Sequence, residues 1–231
     1  MPKQGILIGV GLGPGDPELI TLKGLRALEN ADLIFYPASE INKGGAKSYS
    51  GEILQSLQLK VPTKPLLIPM TGKDRNVFYA KAFAQIVEEL NNGKRVVVVS
   101  EGDLLFYSTF GYIFKLAQAA GLTSELIPGV PAFIAAGSEG YQPIVEGNTS
   151  LKVMARPQSY DDINTALETN STLVVMKMSV LKDWHNYLEQ CNRPFFYIEK
   201  AGTSEQFSTT KAEDLLNRQI PYFSLMIFYA N

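Results

Sequence analysis

Residues 6–37, "ILIGVGLGPGDPELITLKGLRALENADLIFYP", decide the fold class. Ile6 to Val10 is a short apolar run of the kind that forms a buried strand. Four glycines (Gly9, Gly11, Gly13, Gly15) and Pro14 follow or interrupt its end, and a helical pattern begins at once. Asp16 is placed to cap that helix and Pro17 suits its first position, so the helix is expected over Pro17 to Asn30. Leu19, Leu22, Leu25 and Leu28 recur every third residue, with Ile20 widening the stripe. A second strand, Ala31 to Tyr36, is expected to stop at Pro37 because proline lacks an N–H. Strand, glycine-rich turn, helix and strand together form a crossover unit, which places the two strands parallel.

The same grammar continues. Helices are expected around Ser50 to Leu59, Asp74 to Asn91 and Thr109 to Ala120, with strands at Pro65 to Ile68 and Lys94 to Ser100. "KRVVVVS", residues 94–100, carries four consecutive valines, the mark of a strand buried on both faces. After Ile127 the pattern changes. "PGVPAF" leads into a small-residue helix, and the Gly/Pro-punctuated stretch 137–150 reads as a connection between domains. Strands are expected again at Leu151 to Ala155, Thr172 to Met176, Phe195 to Ile198 and Tyr222 to Tyr229. The fold class is therefore α/β in two lobes, residues 1–136 and 151–231, the first with a mainly parallel sheet.

Composition narrows the function. At 231 residues the chain can bury a sizeable core, and a net charge of −2 gives no general attraction to nucleic acid or acidic membranes. One cysteine, Cys191, excludes an internal disulfide framework, and one histidine, His185, argues against both a His-based nucleophilic triad and a His/Cys zinc site. No metal site is expected. The first residues lack a signal-peptide pattern and no stretch has the apolar length of a membrane helix, so the expectation is a cytoplasmic protein with no membrane or nucleic-acid partner.

The glycine-rich loop is neither a dinucleotide fingerprint nor a P-loop. Pro14 and Asp16 stand where G-x-G-x-x-G needs glycine, and no Gly-Lys-Ser/Thr follows. Asp16 and Glu18 at the helix start would repel a phosphate. Glycines here either make a tight turn or let a flat ligand approach the carboxyl edge of the sheet. "SEGDLLFYSTF", residues 100–110, leaves the valine strand on the same edge, and "IPGVPAF", residues 127–133, follows another strand. Glu101 and Asp103 are costly to bury unpaired, so they are expected to face solvent or a ligand. Three such turns on one rim point to a small-molecule site.

Taken together, these segments resemble the tetrapyrrole methylases, S-adenosylmethionine-dependent enzymes of corrin and sirohaem synthesis. The resemblance runs through "VGLGPGDPELITLKGLRALENADLIFYP", "SEGDLLFYSTF", "PGVPAF", "STLVVMK" and "EKAGTSEQ", in order along the chain. "EGDLLFYSTFGYIF", "GSEGYQPIVEGNTSLKVM" and "IPYFSLMIF" look most like the members that methylate carbon 20 of precorrin-2 or cobalt-precorrin-2 in cobalamin synthesis. Two departures stand out: Leu104 where the family has proline after Gly-Asp, and Pro131 where relatives often carry Ser or Thr.

The resemblance implies a cofactor cleft between the two lobes and transfer of a sulfonium methyl group to a ring carbon. Such a reaction needs alignment more than acid–base chemistry. It implies S-adenosylmethionine contacts at Pro14, Glu101, Gly102, Asp103, Phe106, Pro131, Ala132, Met176, Lys177 and Gly202, with S-adenosylhomocysteine as product. Asp103 would take the methionine amino group or a ribose hydroxyl. The substrate is a polycarboxylate, so cations should line its trough. Gly13, Gly15, Lys43, Lys47 and Arg156 are the expected substrate contacts, with Lys73 and Arg75 further candidates; no catalytic base stands out. A homodimer is implied by the family alone. The same fold also admits another ring position, an RNA or protein substrate, or a non-catalytic binding module.

Overall fold

The valine run forms the middle of a sheet. In the computed structural model, which describes residues 5–42, 45–69 and 74–230, packing divides the chain into two units, residues 1–131 and 132–231. The stretch 137–150, expected as a connection, belongs to the second unit.

The first unit contains strands β1 (Ile6–Gly11), β2 (Leu33–Ala38), β3 (Glu40–Asn42), β4 (Gly45–Lys47), β5 (Thr63–Leu67), β6 (Arg95–Ser100) and β7 (Ser124–Ile127). Its helices are α1 (Leu22–Glu29), α2 (Tyr49–Ser56), α3 (Arg75–Asn91) and α4 (Phe110–Ala119). Five strands pair in the order β5-β2-β6-β1-β7, every pair parallel, and β3 and β4 form a small separate hairpin. Val96 to Val99 are buried with at most 1% exposure, because β6 is paired on both edges and packed on both faces. Leu7, Val96 and Val98 meet Ile86, Leu90 and Ile113 on one face, and Ile8, Val97 and Val99 meet Leu28, Ile53 and Leu54 on the other. Alternation along each strand thus feeds two cores, one per face.

Two expectations need correction. The helix expected over Pro17 to Asn30 is broken: Pro17–Leu19 is a single 3-10 turn, capped by Asp16, which accepts from the Glu18 N–H at 2.8 Å. Thr21 then starts α1 afresh, accepting from the Gly24 N–H at 3.0 Å. A second cap residue inside a helical pattern competes for the backbone donors and splits it. In consequence the three-residue leucine stripe is not one face; Leu28 is fully buried while Leu22 is 71% exposed. Strand β2 also continues through Pro37, where it was expected to stop. Its pairing with β6 ends at Phe35, so Pro37 interrupts no ladder on that side, and β5 pairs beside it.

The second unit contains α5 (Ala132–Glu139), β8 (Leu151–Ala155), α6 (Tyr160–Thr169), β9 (Thr172–Met176), α7 (Trp184–Gln190), β10 (Phe195–Glu199), β11 (Phe207–Thr209) and β12 (Ser224–Phe228). The sheet order is β11-β10-β12-β9-β8; β8 and β9 are parallel and the other pairs antiparallel. The parallel pair is joined by α6, which starts in a capping box made by Ser159 and Asp162. Central β12 is buried along its length, and Met226 and Phe228 pack with Ile163, Val175, Trp184 and Tyr197. One polar cluster sits among them. The Glu199 carboxylate accepts from the Tyr197 hydroxyl at 2.5 Å and from both Nε and Nη2 of Arg218. Burial, then the Glu199 hydrogen bond and charge, push the Tyr197 phenol well above its ordinary value.

Candidate active site

The order β6-β1-β7 sets three carboxyl-end loops side by side in the first unit. They are stitched by main chain. Gly13 donates to the Gly102 carbonyl at 3.2 Å and Gly102 donates back to the Gly13 carbonyl at 2.7 Å. Both residues have left-handed φ, +82° and +62°, which glycine adopts without strain. The third loop joins through Asp103. Its Oδ2 accepts from the Gly129 N–H at 3.2 Å while Oδ1 accepts from the Leu105 N–H at 2.9 Å. Tyr49 of α2 secures the first loop from below, donating to the Pro14 carbonyl at 3.1 Å.

At two of the glycines crowding by neighbouring backbone supplies the reason. A Cβ on Gly129 would lie 2.2 Å from the Gly102 oxygen, and one on Gly11 would lie 2.5 Å from the Gly129 nitrogen. Gly11 and Gly129 are therefore packed against neighbouring protein backbone. Asp16 satisfies the Glu18 amide itself, so the turn is filled by its own carboxylate rather than set up for phosphate.

Leu104 proves to be a core residue, 1% exposed among Phe110, Ile113 and Val98. Its Cδ1 would stand 3.0 Å from a Cβ on Gly9, so the strand glycine makes room for it. The departure from proline thus carries a packing role. Gly102 is buried beside half-buried Glu101, Asp103 and Phe106, and Gly13, Pro14 and Gly15 are buried in the first loop. The Glu101 carboxylate makes no hydrogen bond or ion pair among the described residues, its main-chain carbonyl alone accepting from the Ser100 hydroxyl, whereas Asp103 spends part of its capacity on the two amides. A carboxylate has about four acceptor positions, so Asp103 retains capacity for another donor. A ligand bearing an ammonium or hydroxyl groups fits this pair of acidic side chains, and the half-buried Phe106 ring supplies an apolar face beside them. Pro131 closes the unit, half-buried.

In the second unit, Ala132 opens α5 and Met176 ends β9. Lys177, next in the chain, has φ +58° and donates its N–H to the Ser224 carbonyl at 3.1 Å. Arg156, directly after β8, has φ +57° and donates to the Met176 carbonyl at 3.0 Å. Gly202, at φ +78°, donates to Gln206 Oε1 at 2.7 Å within the turn after β10. Lys47 lies exposed on the β3–β4 hairpin, and Lys43 and Lys73 fall outside the described residues. Arg75 stacks on Tyr79, its Cζ 5.4 Å from the ring centroid. His185 is half-buried with Nδ1 3.0 Å from the Ala212 carbonyl, a structural placement. No cluster of His, Cys, Asp or Glu able to hold a metal occurs among the described residues. No helix there is long and apolar enough to cross a membrane.

Several participants were not singled out from the sequence. Gly129 lay inside the quoted turn, but only its contact with Gly102 reveals its role. Tyr49 acts across 35 positions of sequence, which no local pattern announces. Tyr222 and Lys200 likewise gain meaning only from the strand order.

An all-parallel sheet with a three-loop rim at its carboxyl edge, followed by a mixed α/β unit, defines an α/β protein with its candidate site on loops at the sheet's carboxyl end. Residues 6–216 match the family model of the tetrapyrrole (corrin/porphyrin) methylases, and the chain belongs to that family. It is 30% identical over 236 residues to the precorrin-2 C(20)-methyltransferase of a Sinorhizobium species, covering 96% of this chain and 94% of that one. The cobalamin biosynthesis protein CobIJ of Mycobacterium tuberculosis is also 30% identical, over 97% of this chain, which spans about half (46%) of that longer relative. Among solved structures, the uroporphyrin-III C-methyltransferase of Thermus thermophilus complexed with S-adenosylhomocysteine shares the fold. Its TM-score is 0.68 at 20% identity, over 97% of each chain.

Proposed function

We propose that the chain transfers a methyl group from S-adenosylmethionine to carbon 20 of precorrin-2 or cobalt-precorrin-2 in corrin-ring synthesis. The observation that carries this reading is the near end-to-end similarity to a precorrin-2 C(20)-methyltransferase, together with an acidic rim suited to a cationic, hydroxyl-bearing ligand. Bound there, the cofactor supplies a strongly electrophilic sulfonium methyl. The protein's work is then positional. Glu101 and Asp103 accept hydrogen bonds from the cofactor, and Phe106 packs against it. Gly13 and Gly102 hold the two loops at fixed spacing so that these contacts are in place before binding. Pre-organised alignment of this kind contributes on the order of 7–11 kcal/mol to lowering a barrier. Carbon 20 releases a proton as it gains the methyl group, and no residue is assigned as the base that takes it. The assembly this reading implies is a cytoplasmic homodimer.

The test is an anaerobic incubation with S-adenosylmethionine and either metal-free or cobalt-bearing precorrin-2, read by mass spectrometry. Gain of one methyl with one of the two supports the reading and selects the substrate; NMR then locates the carbon. No gain with either, despite calorimetric binding of S-adenosylhomocysteine, overturns it in favour of another acceptor.

A further inference from the structure

Eight non-glycine residues among those described have left-handed φ, and three of them are cations in equivalent positions. Arg156 (φ +57°), Lys177 (φ +58°) and Lys200 (φ +49°) each directly follow a strand: β8, β9 and β10 respectively. Those three strands run in one direction, with antiparallel β12 starting between β9 and β10. The three residues therefore line one edge of one sheet. The pattern is held in the same way each time: the N–H completes one last bond to the neighbouring strand, to Met176, Ser224 and Phe223 carbonyls at 3.0, 3.1 and 2.8 Å. The chain then turns away through a conformation that glycine or asparagine adopts far more readily than lysine or arginine. Keeping long cations at three such places calls for a reason beyond the turn.

The side chains supply one. Arg156 Cζ and Lys177 Nζ lie 5.7 and 5.5 Å from the centroid of the same ring, Tyr222, and Arg156 Nη2 donates to the Tyr222 hydroxyl at 3.3 Å. Two cations gathered about one half-buried ring raise the local positive potential and favour an anion there. Arg156 has no acidic partner among the described residues. Lys200, further along the edge, pairs with Glu205, an exposed ion pair of the kind that exchanges easily. Glu199, beside Lys200 in sequence, is committed to Tyr197 and Arg218.

We infer that Arg156 and Lys177, arranged about Tyr222, form a carboxylate-binding rim for a peripheral acid group of the tetrapyrrole, with Lys200 as the next cation along it. This rests on the methyltransferase reading and deepens it. It also moves Lys177 from the cofactor contacts expected from sequence to the substrate. A guanidinium and an ammonium about an aromatic ring offer carboxylates several charge-assisted donors.

The test uses the full chain and two stable probes. Uroporphyrin III carries acetate and propionate side chains and is titrated by fluorescence; S-adenosylhomocysteine, which carries the cofactor's amino-acid carboxylate, is titrated by calorimetry. The variants are Arg156→Asn, Lys177→Asn and the double substitution, since asparagine suits the left-handed backbone and leaves the turn intact. Expected are an unchanged or raised melting temperature, an unchanged S-adenosylhomocysteine affinity and a loss of porphyrin affinity of about tenfold per substitution. Restoring charge with Arg156→Lys should recover part of it. Unchanged porphyrin affinity would overturn the inference, as would weakened S-adenosylhomocysteine binding with porphyrin binding intact, which would give these cations to the cofactor. Should the wild-type chain bind neither probe, the methyltransferase reading fails first and the rim with it.

Discussion

Gly13 and Gly102 exchange a pair of main-chain hydrogen bonds, at 3.2 and 2.7 Å, between loops that leave adjacent parallel strands. This two-residue bridge continues the sheet beyond its strands, in antiparallel sense, and Asp103 extends the tie to Gly129. The rim is a backbone construction before it is an arrangement of side chains.

Adding one methyl group should therefore have opposite effects at two glycines. Gly129→Ala places a Cβ 2.2 Å from the Gly102 oxygen, which belongs to backbone and cannot swing aside. A cost of about 1–3 kcal/mol is expected, with loss of S-adenosylhomocysteine binding. Gly111→Ala, in α4, meets no atom within 4 Å and should stabilise by about 0.5–1 kcal/mol through helix propensity. Chemical denaturation of both variants checks the contrast.

Asp103 separates a scaffold role from a ligand role. Asp103→Ala leaves the Leu105 and Gly129 amides without their acceptor, at an expected cost of about 1–3 kcal/mol. Asp103→Asn keeps one acceptor oxygen and removes the charge. Because the new amide nitrogen then faces one of the two main-chain donors, a melting loss smaller than that of Ala, with S-adenosylhomocysteine affinity reduced about tenfold, is the expected result for Asn. Equal losses in melting and affinity would mark Asp103 as scaffold alone.

Restoring the family's proline should harm this chain. Leu104 is 1% exposed and fills the space above Gly9. Leu104→Pro empties that space, and destabilisation of about 2–4 kcal/mol is expected. Gly9→Ala attacks the same contact from the strand side, where a Cβ would stand 2.5 Å from the Phe110 ring. The two losses should not add, and a double-variant denaturation series measures the coupling.

The Tyr197–Glu199 pair predicts an alkaline limit to stability. Burial and the adjacent Glu199 hold the Tyr197 phenol above its ordinary value of 10 in the folded chain. A raised value in the folded state means stabilisation that is complete below the unfolded phenol value and is lost as pH climbs towards the folded one. Tyr160 and Tyr187 are raised too, chiefly by burial. The denaturation midpoint should thus be insensitive to these groups up to about pH 9 and fall above about pH 10, with Tyr197→Phe softening the fall. At neutral pH that variant should lose only about 1 kcal/mol, because Glu199 keeps Arg218.

Much of the fold was legible because burial leaves a periodic trace. The valines of β6, the strands β8 and β9, and the α/β class followed from apolar pattern alone. The broken helix at Ile20–Thr21 was not, since Thr21 as a second cap looks like any polar residue within a helix. Loop motifs marked Glu101, Gly102 and Asp103, yet the partners that give them shape, Gly129 and Tyr49, act at long range. The equivalence of Arg156, Lys177 and Lys200 was hidden for the same reason. Neighbours across a sheet depend on strand order, which local periodicity does not encode.

The tie among Gly13, Gly102 and Gly129 also sets a timetable. Its members come from opposite ends of the first unit's sequence, so the loops can close only after β1, β6 and β7 have docked. Contacts of such long sequence separation form late, after the entropy of closing the intervening chain has been overcome. During synthesis, the early crossover units can collapse while the rim is still an open set of unpaired amides. Binding competence is then the last property the first unit acquires, and any chain cut short before Gly129 should have much of its core and no rim.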